Sequence, residues 1–295
     1  GAAAIAARMR ETGRHFHFVL DEGAVVAEGM LDEPSEPIAL IGIAEKGHVN
    51  IRIRAEATGG HAAMPPARTA VGRLADGIRR VERTPPRPRL TPGVRAFFEA
   101  LAPHTAGPLR LVYGHPGLFW PLLSRVLAAR PTTAALIRTT QAVTMAEGSS
   151  APNVLPERAD AIVNCRILPG ERTEDVVNRY EALLAELELT VDVADADDAL
   201  DPVSESALSH PGYLLIEETA RRVFPCITAP YLVTGSTDSK WYAPLADAVY
   251  RFVPMMLTGE EIGRIHGTDE RISLENVRRL LGFYEHIITQ ECVNG

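Results

Sequence analysis

Residues 38–55 read IALIGIAEKGHVNIRIRA, and the change of pattern inside this stretch decides the fold. Residues 38–44 form a nearly unbroken apolar run that stops at the turn signal Glu45-Lys46-Gly47. Such a run fits a strand. From Val49 to Ala55 apolar and polar residues alternate strictly, the signature of a half-exposed strand in an antiparallel sheet. One kind of sheet gives way to another within a few residues. Upstream, GAAAIAARMRETG is a good helix former closed by a glycine, and HFHFVLD follows as a strand ending in Asp21-Glu22-Gly23. Helix, strand, turn and strand in this order predict an α/β layer.

Downstream of the switch come the loop TGGHAAMPP, a helix over 69–82 and the Pro-rich break TPPRPRLTP. The stretch 85–130 reads as a partly helical insertion. Strands over 139–146 and 159–167 flank the loop GSSAPNVLPER, then a helix over 173–186 and a short strand over 189–193 complete the order strand–helix–strand–strand–helix–strand. That order is the ferredoxin-like α+β pattern. After the acidic run 194–202, a helix (213–223), a strand (227–233), the loop GSTDSK and an amphipathic helix (273–289) restore the α/β pattern. The amphipathic helix puts Asn276, Arg278 and Arg279 on its polar side. The fold class expected is α/β: an α/β domain built from 1–47 and 200–295, with an inserted ferredoxin-like α+β domain at 48–199.

The chain has 295 residues and a formal net charge of −8, with no basic stripe, so no nucleic-acid partner is expected. No apolar run nears the ~20 residues of a membrane helix, and no membrane partner is expected. The opening segment lacks a secretory pattern, and a cytoplasmic location is expected. Cys165, Cys226 and Cys292 have no CxxC spacing, which argues against a cysteine zinc site. No Gly-x-Ser-x-Gly elbow, phosphate loop or GxGxxG is present, so nucleophilic and phosphate-handling mechanisms have no anchor.

Several residues can carry metal or substrate chemistry. Asp21 closes a strand of the α/β layer, and ligands bind at the carboxyl edge of such sheets. Its carboxylate suits a cation such as zinc, although Asp-Glu-Gly is also an ordinary turn. His266, in RIHGTDE, offers an imidazole ligand, against the plainer reading of a surface histidine. His61 follows Gly59-Gly60 in a loop and can donate to a substrate oxygen; solvation alone would also account for it. Asn153 and Arg166 together can hold a carboxylate, with the guanidinium as a bidentate fork. Ser236 and Thr237 lie in a loop whose hydroxyls and N–H groups suit an anion or a plain turn. His15 and His17 flank Phe16 as a weak candidate metal pair, read in preference as strand decoration.

Taken in order, FVLDEG, AEKG, TGGHAAMPP, APNVLPERADAIVNCRILPG, GSTDSKWY and RIHGTDE resemble the zinc-dependent exopeptidases related to carboxypeptidase S, aminoacylase and succinyl-diaminopimelate desuccinylase. RTTQA and AVYRFVPMM bring the likeness nearest to the carboxypeptidase S branch. The resemblance implies an α/β catalytic domain with an inserted lid and two zinc ions per complete site. It implies Asp21 and His266 as metal ligands, and His61 as the group that polarises the scissile carbonyl, often from a partner's lid. Asn153, Arg166, Ser236 and Thr237 would hold the substrate. The implied activity is hydrolysis of the amide bond next to a free carboxylate in short peptides, with N-acyl amino acids as the alternative substrate and a homodimer formed through the lid. A metal-free binding or assembly module is the reading from another class. The family's His-x-Asp motif and adjacent glutamates do not appear ahead of Asp21. The opening helix looks like the one that follows those glutamates, so the expectation is that native sequence precedes Gly1 and that this chain alone is inactive.

Overall fold

The computed structural model describes residues 1–31 and 33–292. The chain passes alternately through two compact units, the first comprising Gly1–Glu45, Leu90–Val126 and the chain from Val203 onward, the second Lys46–Arg89 and Leu127–Pro202. Its first segment carries helix α1 (Ala2–Glu11) and strands β1 (Phe16–Asp21), β2 (Val26–Glu28) and β3 (Ile38–Glu45). The next carries β4 (Gly47–Glu56), β5 (Gly60–His61) and α2 (Ala70–Arg83). Helices α3 (Pro92–Leu101), α4 (Gly107–Gly114) and α5 (Trp120–Ala128) follow, the unit boundary falling within α5. Then come α6 (Pro131–Ile137), β6 (Thr140–Glu147), β7 (Val154–Leu155), β8 (Arg158–Ile167), α7 (Thr173–Leu184) and β9 (Thr190–Val193). The last segment holds α8 (Pro211–Val223), β10 (Ile227–Val233), α9 (Ser239–Tyr242), β11 (Ala246–Arg251), β12 (Met256–Thr258), α10 (Gly259–Ile262) and α11 (Leu274–Cys292).

In the first unit β3 is the spine, and all eight of its residues are buried. β10 pairs with it in parallel, while β2 and the end of β11 pair with it antiparallel. β1 lies parallel to β11, and β12 parallel to β2. The sheet is therefore mixed, a common form for large α/β sheets. α3 packs on β10, α8 on β3 and β10, and α11 on α8. Covered faces explain why β3 reads as continuous apolar sequence rather than as an alternation.

The second unit is a four-stranded antiparallel sheet in the order β6-β8-β4-β9. With α2 and α7, this is the ferredoxin-like arrangement. Burial alternates residue by residue along β4 and β8. Val49, Ile51, Ile53, Ala161, Val163 and Cys165 face a core completed by Leu74, Val81, Val176 and Tyr180. The opposite face is polar, with Arg54 donating to Asp160 at 2.7 Å and Asn164 to Asn50 at 2.8 Å. The alternation in VNIRIRA is thus the imprint of one dry and one wet face.

Two placements differ from the sequence reading. Residues 90–126 fall in the first unit, not in the inserted segment 48–199. Phe97 meets Tyr231 of β10 with ring centroids 6.5 Å apart, and the Gly93 N–H donates to Glu205 at 3.0 Å. These are nonlocal partners that no local pattern reveals. Asn276, assigned to the polar side of the last helix, is buried: its amide accepts from the Met256 N–H and donates to the Met256 carbonyl, both at 3.0 Å.

Candidate functional site

β1 and β11 run parallel, so their carboxyl ends meet, and Asp21 stands in register with Arg251. This is the edge where open α/β sheets bind ligands. Asp21 Oδ1 accepts from the Glu22 N–H at 2.9 Å. Asp21 Oδ2 is buried and has no hydrogen-bond partner among the described residues. A buried carboxylate oxygen left unpaired is costly, and a cation is the group that would satisfy it.

Behind Asp21 lies a buried polar network. Glu45, the last residue of β3, is 1% exposed and Arg251 is 0% exposed. Arg251 Nε donates to Glu45 Oε2 at 2.9 Å. The Thr237 N–H donates to Glu45 Oε1 at 2.6 Å, and the Thr237 hydroxyl donates to Oε2 at 2.9 Å. The Ser239 hydroxyl lies 3.3 Å from Oε2 and 2.7 Å from Thr237 Oγ1. Burial pushes the Arg251 guanidinium down from its ordinary value, while the charges of Glu45 and then Asp21 hold it up. Arg251 Nη2 is buried and has no hydrogen-bond partner among the described residues. A Cβ on Gly42 would stand 2.9 Å from Arg251 Cβ and 2.7 Å from Val233 Cγ2, so the close approach of β3, β10 and β11 here requires glycine. Neither Glu45 nor Arg251 was singled out from the sequence. The usable signal is a charge ending an all-apolar strand in IALIGIAE and another inside AVYRFVP.

The loop after β10 departs from its expected role. Both donor groups of Thr237 are committed to Glu45, so it braces the site rather than presenting itself to an anion. Ser236 is exposed and accepts from Lys240 Nζ at 3.1 Å.

His266 is exposed in the turn after α10, with φ of +59°. Histidine in the left-handed region is uncommon, and such strain concentrates at functional positions. Among the described residues no hydrogen bond or ion pair joins His266 to Asp21, and no group of three or more His, Cys, Asp or Glu is placed to hold a metal ion. The fit to a metal therefore extends to one donor, the orphaned Asp21 oxygen. His15 and His17 belong elsewhere. At the amino end of β1, His15 Nε2 meets Asp247 at 2.8 Å, and the His17 ring lies against His210, tilted by 44° with centroids 4.6 Å apart.

In the second unit, His61 and Asn153 are brought together. β5 and β7 form a two-stranded ribbon in which His61 pairs with Val154, and the Ala62 N–H donates to the Asn153 carbonyl at 3.0 Å. Both residues are exposed, and His61 Nδ1 accepts from the Ala63 N–H at 3.0 Å. Arg166 lies at the other end of β8, beside His48, whereas the start of β8 lies beside Glu56. That is roughly 26 Å of strand at the usual rise. The amide–guanidinium fork expected of Asn153 and Arg166 is not assembled within this unit.

Comparison with known proteins places this geometry. Residues 43–191 match the family model described as the M20 peptidase dimerisation domain. A probable carboxypeptidase S-like protein 2 of Dictyostelium discoideum is 33% identical over 275 residues, covering 92% of this chain and 52% of that protein. The human N-fatty-acyl-amino acid synthase/hydrolase PM20D1 is 35% identical over 291 residues, covering 98% and 58%. The chain thus spans a little over half the length of these relatives. Among solved structures, the M20 family metallo-carboxypeptidase Sso-CP2 of Sulfolobus solfataricus superposes with a TM-score of 0.64 at 14% identity, over 97% of this chain and 66% of that one. The di-peptidase Dug1p of Saccharomyces cerevisiae gives 0.60 at 11% identity, over 99% and 64%. On the family match across residues 43–191 and the agreement of both units with these folds, the chain belongs to the M20 peptidase family.

Proposed function

We propose that this chain is part of a zinc-dependent hydrolase that cuts the amide bond next to a free carboxylate in short peptides. The observation that carries the reading is the buried, unpaired Oδ2 of Asp21 at the carboxyl edge of a parallel strand pair in an M20 chain. Zinc bound there, in the pair the family resemblance implies, would supply Lewis acidity and an acidified water. The chain's own residues do the rest. Asp21 offers a donor, Arg251 and Glu45 fix the ground behind it, and the exposed His61 and Asn153 offer an imidazole and an amide to a substrate oxygen. In this reading His266 is the second ligand, from a turn held open to solvent. Ser236 and Arg166 remain available to a carboxylate as exposed and half-buried groups.

The second reading, an N-acyl amino acid hydrolase, is favoured by the likeness to the human N-fatty-acyl-amino acid synthase/hydrolase. Turnover of a dipeptide and of an N-acyl amino acid distinguishes them, measured with zinc on the 295-residue chain and on that chain joined to any residues encoded ahead of Gly1. We expect amide hydrolysis in the zinc-loaded protein and its loss in Asp21→Asn. Amide hydrolysis that survives Asp21→Asn would overturn the assignment of Asp21, and a longer, zinc-loaded preparation inert on both substrates would overturn the function.

A further inference from the structure

The segment that the fold places in the first unit, between α3 and the end of α5, differs from the rest of the chain in its charge. The protein carries 38 acidic residues, yet none falls between Glu99 and Glu147. On α5 and the turn before it, Leu118, Leu122 and Val126 recur every four residues and are 76%, 56% and 62% exposed, while the neighbouring Leu123 turns inward and is buried. Spacing of four puts the three on one helical face. α4 has no buried residue at all, and it exposes Leu109 and Leu111. Single exposed leucines need no explanation, but a row of them on consecutive short helices marks an interaction surface.

Charge decides the occupant. Arg110 and Arg125 stand exposed among these leucines, and among the described residues neither makes an ion pair or a side-chain hydrogen bond. Among the described residues the one carboxylate hydrogen-bonded to the segment's backbone is Glu33, which accepts from the Ala106 N–H ahead of α4. Glu99 is engaged with Arg95. A second copy docking here by two-fold symmetry would set this acid-free face against itself, arginine facing arginine. An anionic surface would not. Short helices with leucine on one side and unpaired arginine beside it lie in the plane of a lipid interface, apolar face down and cations at the headgroups.

We propose that residues 107–126 form a peripheral docking face for an anionic phospholipid surface. No helix of the described residues is long and apolar enough to cross a membrane, so the contact is with a surface and not a span. The inference stands apart from the proposed hydrolysis, because it uses none of the same residues.

The test is co-sedimentation of the 295-residue chain with vesicles of phosphatidylcholine alone or containing about a third phosphatidylserine. Binding is expected on the anionic vesicles, weaker by roughly tenfold on neutral ones, and reduced in roughly 0.5 M salt, where charge attraction is screened. The double variant Leu118→Ser/Leu122→Ser is expected to lose roughly tenfold in vesicle binding, with the melting temperature and oligomeric mass unchanged. These side chains are already in solvent, so folding does not depend on them. Arg110→Gln/Arg125→Gln is a second variant, expected to weaken anionic binding and leave the neutral value alone. Absence of binding to anionic vesicles overturns the proposal, as does equal binding by the leucine variant. So does a wild-type dimer that the leucine variant converts to monomer, which assigns the face to a second copy.

Discussion

Lys46 opens the second unit and is buried, 3% exposed. Its ammonium donates to the carbonyls of Ala135 at 3.0 Å and Arg138 at 2.9 Å, tying down the end of α6. Burial pushes its pKa down to about 7, with Arg166 and Arg138 adding to the effect and Glu171 opposing it. The unfolded chain, with an ordinary lysine value, therefore binds more protons than the folded chain between about pH 7 and 10. Folding stability attributable to Lys46 rises with pH across that window and is independent of pH below it. Urea titrations at stepped pH should show this slope in the wild type and a flatter one in Lys46→Met; an unchanged slope would contradict the account. Arg251 makes a second residue-scale case. Removing it leaves Glu45 buried with its charge partly uncompensated, and Arg251→Met should cost about 3–5 kcal/mol. Urea unfolding measures this, and a loss below about 1 kcal/mol would mean that Glu45 is satisfied without the guanidinium.

Among the elements, β3 shows how closely backbone approach constrains sequence. Its Gly42 faces Val233 and Arg251, and the added methyl of Gly42→Ala would press on both. Overpacking of this kind costs typically 1–3 kcal/mol. The loss should appear as a lowered unfolding midpoint with an unchanged urea dependence; a neutral or stabilising result would show that β10 and β11 can part without penalty. β4 and β8 are constrained differently. Their alternating dry face is carried by side chains, and Ile53→Ala at its centre should cost about 2–5 kcal/mol by leaving a cavity.

Across the whole molecule, what the sequence disclosed follows the range of the forces involved. Strands with regular burial announced themselves, β3 by an unbroken apolar run and β4 by alternation, because period-two geometry writes itself into neighbouring residues. The place of Asp21 at the end of a strand was legible because the strand runs into a turn. Glu45 and Arg251 were not, since their partnership spans 206 positions and each alone looks like a turn residue or an edge charge. Asn276 sat with two arginines on a helical wheel, yet a strand edge claims it from outside the helix. Residues 90–126 carried mixed helical signals that do not say which unit they cover. The match to a peptidase dimerisation domain makes one further expectation testable at this scale. Light scattering should give twice the chain mass, and a monomer at all concentrations would contradict it.

The measurement that bears most directly on the functional account is anomalous X-ray scattering at the zinc edge from crystals soaked in zinc. A peak about 2.0–2.2 Å from Asp21 Oδ2 is predicted, the distance of a carboxylate–zinc bond. A map with zinc only elsewhere, or with Asp21 Oδ2 satisfied by a protein donor in its place, would contradict it.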